Sequence, residues 1–246
     1  MKFLESHSGL SALLVEKSGY DGIWISSLTN AAIRGLPDNE LVSLKERVEL
    51  VEEIKRITTK PILVDIDTGG FIWHLPYYIK CFRDAGAWGV VIEDKKYPKQ
   101  NSLLKEGIHE LENPELFIEK IKIAKNNSGD MKIIARLESL IAKHSMEEAL
   151  DRASKYVGAG SDMILIHSKE EISCNEVMEF AKRFRKTSDV PLVAIPTTYV
   201  LPDEHPFEIV IYANQMLRAS LKAMKNCADG IWDLAEVEDI FKIVGY

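Results

Sequence analysis

Eight short, nearly continuous apolar runs punctuate this chain, separated by longer amphipathic stretches. The runs lie at 2–5 (KFLE), 22–26 (GIWIS), 61–67 (PILVDID), 89–93 (GVVIE), 132–138 (KIIARLE), 162–167 (DMILIH), 191–196 (PLVAIP) and 208–214 (EIVIYAN). Short β-branched runs of this kind read as strands buried on both faces. Helical patterns fill the gaps at 8–18, 41–57, 74–85, 114–126, 146–159, 173–187 and 215–226, with a last one at 232–243. Local signals agree. Asn113-Pro114 reads as a cap followed by a proline at the first helical position. DAGAWG, VGAGSD and KSGYDG predict glycine terminators just before strands, and SMEEAL predicts a capping box between Ser145 and Glu148. Eight strand–helix units in 246 residues predict an α/β fold, a (β/α)8 barrel of the TIM type, as one domain over 1–246. The alternative is a doubly wound open sheet, but its G-x-G-x-x-G dinucleotide fingerprint is absent.

Charge narrows the class of partner. The formal net charge is −7, which argues against nucleic acid or an acidic membrane surface, since such partners select a basic face. An anionic small molecule must then be held by a local cluster of positive groups or by a metal. Cys81, Cys174 and Cys227 are far apart and form no CxxC pair, as expected of a reducing compartment. MKFLESHSGL has no apolar signal-peptide core, and no stretch approaches the ~20 apolar residues of a membrane span. The expected location is cytoplasmic.

In a barrel of this kind, chemistry gathers at the C-terminal ends of the strands. Those ends here carry Ser6 and His7, Ser26 and Ser27, Asp65 and Asp67, Glu93, Arg136 and Glu138, His167 and Ser168, Thr197, and Asn214. Asp65 and Asp67 stand at i and i+2, which puts both on one side of a strand. With Glu93 on the next strand, three carboxylates converge and repel unless a cation joins them. A hard divalent ion with oxygen ligands and retained water, Mg²⁺, suits this set. One Asp alone would read as a solvated strand end; three acids on adjacent ends favour a metal. Arg136 and His167 follow apolar strands and read as an anion clamp opposite the metal. The bland alternatives are an Arg136–Glu138 pair and a satisfied core histidine. Lys99, Asn101 and Ser102, in the loop after VVIEDKKYP, are donors suited to an anion. Asp38, in RGLPDNE, either caps the helix near 41 or projects into the site.

The stretches HSGLSALLVEKSGYDGIWISSL, PILVDIDTG, EDKKYPKQNSLL, IIARLESLIA, ILIHSK and ANQMLRAS span most of the chain. In that order they resemble the phosphoenolpyruvate mutase branch of the isocitrate lyase superfamily. EDKKYPKQNS fits the mutase pattern E-D-K-x-x-x-K-x-N-S. The superfamily's lyases place a K-[KR]-C-[GS] cysteine in that loop, and none stands here. The resemblance implies an isomerase that interconverts phosphoenolpyruvate and phosphonopyruvate by moving a phosphoryl group from the enol oxygen to carbon 3, a step of phosphonate biosynthesis. It implies Asp65 as a direct Mg²⁺ ligand, with Asp67, Glu93 and Asp38 holding the ion through water. Trp24, Ser26, Ser27 and Leu28 would wall the pyruvyl carboxylate. Arg136 and His167 would grip the substrate, and Lys99, Asn101 and Ser102 would lie on a gating loop. Asp38 would accept or steer the migrating group.

The resemblance further implies a homodimer or homotetramer, with a C-terminal helix exchanged between subunits in some members. It also implies coupling to an enzyme that consumes phosphonopyruvate. The sequence departs from the family after DIDTG, where GFIWHL replaces the usual tyrosine-glycine-asparagine run. Competing readings are a phosphonopyruvate hydrolase, a C–C lyase such as an oxaloacetate-cleaving enzyme, and a non-catalytic barrel. Asn101 favours the mutase over the hydrolase, and the missing thiol argues against a lyase.

Overall fold

The computed structural model describes residues 1–245. Eight parallel strands close on themselves in chain order, β1 beside β2 through to β8 beside β1. They are β1 (Lys2–Glu5), β2 (Gly22–Ile25), β3 (Ile62–Asp65), β4 (Gly89–Glu93), β5 (Lys132–Leu137), β6 (Met163–Ile166), β7 (Leu192–Ala194) and β8 (Ile209–Tyr212). The helices are α1 (Gly9–Glu16), α2 (Ser27–Ala32), α3 (Leu44–Lys55), α4 (Leu75–Asp84), α5 (Pro114–Ser128), α6 (Met146–Gly158), α7 (Asn175–Phe184), α8 (Gln215–Ala228) and α9 (Val237–Val244). The predicted (β/α)8 barrel is therefore present, and every expected strand forms, β1 and β4 over the expected residues and the other six trimmed at their ends.

Two apolar layers build it. Inside the barrel, Phe3, Trp24, Leu63, Val91, Ile134, Leu165, Val193 and Ile211 pack into one another. Outward-facing Ile23, Val64, Val90, Ile133, Ala135 and Ile164 pack against the helices. Each such buried aliphatic side chain contributes roughly 1.5–3 kcal/mol. Gly22 pairs with Phe3 across β1 and β2. A Cβ there would lie 2.4 Å from the Phe3 ring, so the inner core requires glycine.

Helix starts explain several differences from expectation. α2 was not foreseen. It has six residues, too few for a period, and starts where the Ser26 hydroxyl accepts from Thr29 N–H. α3 begins at Leu44, capped by Ser43, whose hydroxyl accepts from Glu46 N–H while the Glu46 carboxylate accepts from Ser43 N–H; Asp38 is not its cap. Ser145 caps α6, but Glu148 turns instead to His144 and Arg152, so the predicted box is half formed. Gly86 and Gly160 take the predicted left-handed terminating conformation. Gly19, after α1, does not take it. The last helix begins at Val237 rather than near 232. Among the described residues, no helix is long and apolar enough to cross a membrane.

Candidate active site

The site grows out of strand alternation. Leu63, Val91, Ile134 and Leu165 belong to the inner core. Two residues on, the same inward face carries Asp65, Glu93, Arg136 and His167. All four are buried. The barrel thus changes from apolar to ionic within one step along each of four adjacent strands.

Glu138, one residue beyond β5, ties this floor together. Its Oε1 accepts from Arg136 Nε at 2.5 Å and lies 2.8 Å from His167 Nδ1. Its Oε2 accepts from the Ser102 hydroxyl at 2.6 Å and pairs with Lys95 Nζ at 3.2 Å. Burial would raise the Glu138 carboxyl, but Arg136 and Lys95 hold it well below the ordinary range. The Arg136–Glu138 pair weighed from the sequence is therefore real. It does not consume the guanidinium: Nη2 is 3.2 Å from Ser102 Oγ and 2.8 Å from His167 Nδ1, and Arg136 lines the cleft. Burial, then the Arg136 charge, pushes His167 down to about 4, so its imidazole is neutral near pH 7. Asp94, beside Glu93, faces the other way. It accepts from Glu138 N–H at 2.8 Å, Tyr156 OH at 2.9 Å and Arg152 at 3.3 Å, bracing β4 against β5 and α6.

The acids meet beside this floor. Asp65 accepts from Asp67 N–H at 3.0 Å and from the Ser27 hydroxyl at 3.1 Å. Asp67 does not continue the strand. Its φ is +52°, so a left-handed turn beyond β3, rather than strand alternation, brings it back toward the cleft. Arg47 on α3 fixes that turn, donating to the Asp67 carboxylate and, at 2.9 Å, to the Asp65 carbonyl. Burial raises Asp65, aided by the Asp67 charge; against the same burial, Arg47 and Lys99 hold Asp67 low. Glu93 is the least satisfied. Neither of its oxygens has a hydrogen-bond partner, Arg136 Nε approaches only to 3.6 Å, and burial pushes its carboxyl up to about 8.

This donor chemistry fits a hard cation. The donors are carboxylate oxygens, and both oxygens of Glu93 and Oδ1 of Asp38 are buried without a hydrogen-bond donor. Among the described residues, no group of three or more His, Cys, Asp or Glu side chains is arranged to hold a metal directly. The acids therefore do not form an all-protein cage. They match an ion that takes one or two carboxylates and keeps its water, which is the habit of Mg²⁺.

One cleft, about 410 Å³ with its open mouth, collects most of the predicted residues: Trp24, Ser26, Ser27 and Leu28 on one wall, then Asp38, Asp65, Lys99, Asn101, Ser102, Arg136 and His167. Asp67 and Glu93 do not line it; they are buried beneath the wall. Two loops roof it. Asp38 Oδ2 accepts from Lys99 Nζ at 2.7 Å and from Asn101 Nδ2 at 2.6 Å. Lys99 Nζ also lies 3.1 Å from Asp67 Oδ1. Burial would lower the Lys99 ammonium, but Asp67, Glu93 and Asp38 together raise it above its ordinary value, so it is a fixed cation. Asp38 thus belongs to the site.

Sequence reasoning gave no role to several members. Glu138, Thr197 and Asn214 were visible on strand ends, and the last two line the cleft with Ile195, Ala213 and Leu103. Arg47 carried no signal, since an arginine on an amphipathic helix usually faces water; here it is 1% exposed. Lys95 was given no role of its own, yet it is buried beneath the roof while Lys96 pairs with Glu110 at the surface.

Comparison with known proteins points the same way. Residues 1–232 match the family model described as phosphoenolpyruvate phosphomutase. The chain is 35% identical over 260 residues to the phosphoenolpyruvate phosphomutase of Tetrahymena pyriformis, covering 98% of this chain and 86% of that protein. It superimposes on the crystal structure of a phosphoenolpyruvate phosphomutase from Streptomyces platensis subsp. rosaceus with a TM-score of 0.92, at 32% identity, covering 100% of this chain and 90% of the other. It also superimposes on a phosphonopyruvate hydrolase solved with oxalate and Mg²⁺, with a TM-score of 0.87, 32% identity and the same coverage.

Proposed function

Because the chain belongs to the phosphoenolpyruvate phosphomutase family, we propose that it is a Mg²⁺-dependent mutase interconverting phosphoenolpyruvate and phosphonopyruvate. The observation that carries this is the roof: Lys99 and Asn101 converge on Asp38 above a cleft whose floor presents Arg136 and His167. A lidded cavity that brings Lys99, Asn101, Arg136 and His167 to one place offers hydrogen-bond donors to a small phosphorylated anion, and the lid keeps water from it.

In this reading the P–O bond to the enol oxygen breaks and a P–C bond forms at carbon 3, with no net gain or loss of protons. Transfer through a loose transition state needs positioning and charge more than covalent help. Arg136 supplies a forked donor to the phosphoryl oxygens, and neutral His167 adds a hydrogen bond without a titrating charge. Asn101 and Lys99 cover the migrating group from above, and Asp38 orients it. Ser26, Ser27 and Leu28 receive the pyruvyl carboxylate, with Trp24 as an apolar backstop. Ser102 pins the lid to Glu138. Water exclusion separates isomerisation from hydrolysis. Asp65 would hold Mg²⁺ directly, with Asp67, Glu93 and Asp38 acting through water. When bound, the ion would supply Lewis-acid positive charge that stabilises an enolate.

The second reading is phosphonopyruvate hydrolysis, favoured by the equal identity of the hydrolase structure. Phosphorus NMR with phosphonopyruvate and Mg²⁺ separates the two. The mutase yields phosphoenolpyruvate; accumulation of inorganic phosphate and pyruvate instead assigns the hydrolase. A lyase reading has less support, since residues 94–107 contain no cysteine. The proposal extends to a cytoplasmic enzyme that acts as a dimer or tetramer and passes phosphonopyruvate to a consuming enzyme.

A further inference from the structure

Glu40 has no part in the chemistry above, yet it joins three loops. Its Oε2 accepts from the backbone N–H of Lys99 at 2.8 Å, and its Oε1 accepts from the Thr68 hydroxyl at 2.7 Å and the Thr68 N–H at 3.2 Å. Thr68 follows the Asp65–Asp67 turn, and its own carbonyl accepts from the buried Lys120 of α5 at 2.9 Å. Glu40 also sits in the left-handed region, at φ +65°. A non-glycine residue holds that conformation only where its surroundings over-determine it.

The consequence is geometric. Asp38 and Glu40 leave the same loop two residues apart. Asp38 takes the side chains of Lys99 and Asn101, and Glu40 takes the Lys99 backbone. Side-chain contacts alone leave the lid backbone free to slide; the backbone contact fixes its height above the acids. We propose that Glu40 is a positioning residue, a latch that locks the lid at residues 94–107 to the turn carrying the metal-side acids. It does not line the cleft. The inference rests on reading that segment as a lid over the cleft.

Trypsin and product analysis test it on the full chain. Lys96 and Lys105 are exposed lid sites. Glu40→Ala removes both ends of the bridge, and cleavage within 94–107 is expected to rise about tenfold, the scale of one lost charge-assisted hydrogen bond. Glu40→Gln keeps its oxygen for the Lys99 N–H and its amide donates to the Thr68 hydroxyl, but the Thr68 N–H loses its acceptor, so cleavage is expected to rise less than in Glu40→Ala. With phosphonopyruvate, Glu40→Ala should lower kcat more than it raises KM and increase the share of inorganic phosphate. Cleavage of Glu40→Ala at the wild-type rate, or equal opening in Glu40→Gln, overturns the latch. If Glu40→Ala fails to fold, Thr68→Val removes the shorter of the two Thr68 bonds to Glu40 and leaves the N–H bond; increased cleavage supports the latch and wild-type cleavage overturns it. A wild-type enzyme that makes no phosphoenolpyruvate, while Glu40→Ala still opens, removes the mutase reading and leaves the latch standing.

Discussion

His167 carries a pH signature that its surroundings dictate. Its folded value is about 4, against an ordinary value near 6.5. Above pH 6.5 the ring is neutral in both states. As pH falls toward 4, the unfolded chain takes up a proton that the folded chain refuses, so stability drops by roughly 2–3 kcal/mol. Glu93, raised to about 8, acts in the opposite sense: stability falls as pH rises through that range. The comparison must therefore be made against a variant. Urea unfolding at pH 7 and pH 4.5 should show a smaller loss in His167→Gln than in wild type; identical losses would place the proton elsewhere. Asp65 gives a second residue-scale test. Its carboxylate is desolvated and crowded by Asp67, so its removal relieves a charge conflict. Asp65→Ala should abolish Mg²⁺-dependent turnover without lowering the metal-free melting temperature. Retained turnover would move the metal off this residue.

At the scale of elements, strands were the legible part and turns were not. The β-branched runs located all eight strands because burial on both faces leaves no room for polar residues. Asp65, Glu93, Arg136 and His167 followed from the same pattern, as polar residues ending apolar runs. Asp67 reaches its place for a reason that alternation does not contain: a left-handed turn held by Arg47 on α3, about twenty positions away in sequence. Glu40 was equally opaque, since its partners Thr68 and Lys99 come from other βα units. α2 was too short for periodicity to register. Within the barrel wall, Gly22 makes a firm prediction. Gly22→Ala drives a methyl into the Phe3 ring and should cost about 1–3 kcal/mol in chemical denaturation. Activity per folded molecule should be preserved, because Gly22 lies at the start of its strand, away from the cleft. A neutral result would mean that the inner layer can shift around the extra carbon.

At the scale of the molecule, the C-terminal segment stands apart. α8 and α9 bury no residue within this chain, and Leu221, Met224, Trp232 and Leu234 are all more than half exposed. Apolar surface of this extent calls for a covering partner, and a second copy is the partner proposed above. Light scattering after size exclusion should report a dimer or tetramer, and Leu221→Lys with Met224→Lys should shift it toward monomer. A wild-type monomer at working concentration would refute the association. The closure of the barrel has its own consequence. β8 pairs with β1, and the terminal ammonium of Met1 donates to the Glu208 carbonyl at 2.6 Å. During synthesis the first strand must wait for the last, with one flank bare until Ile209–Tyr212 has left the ribosome. Chains cut short before Ile209 would keep two unpaired rims, an invitation to strand-to-strand clumping.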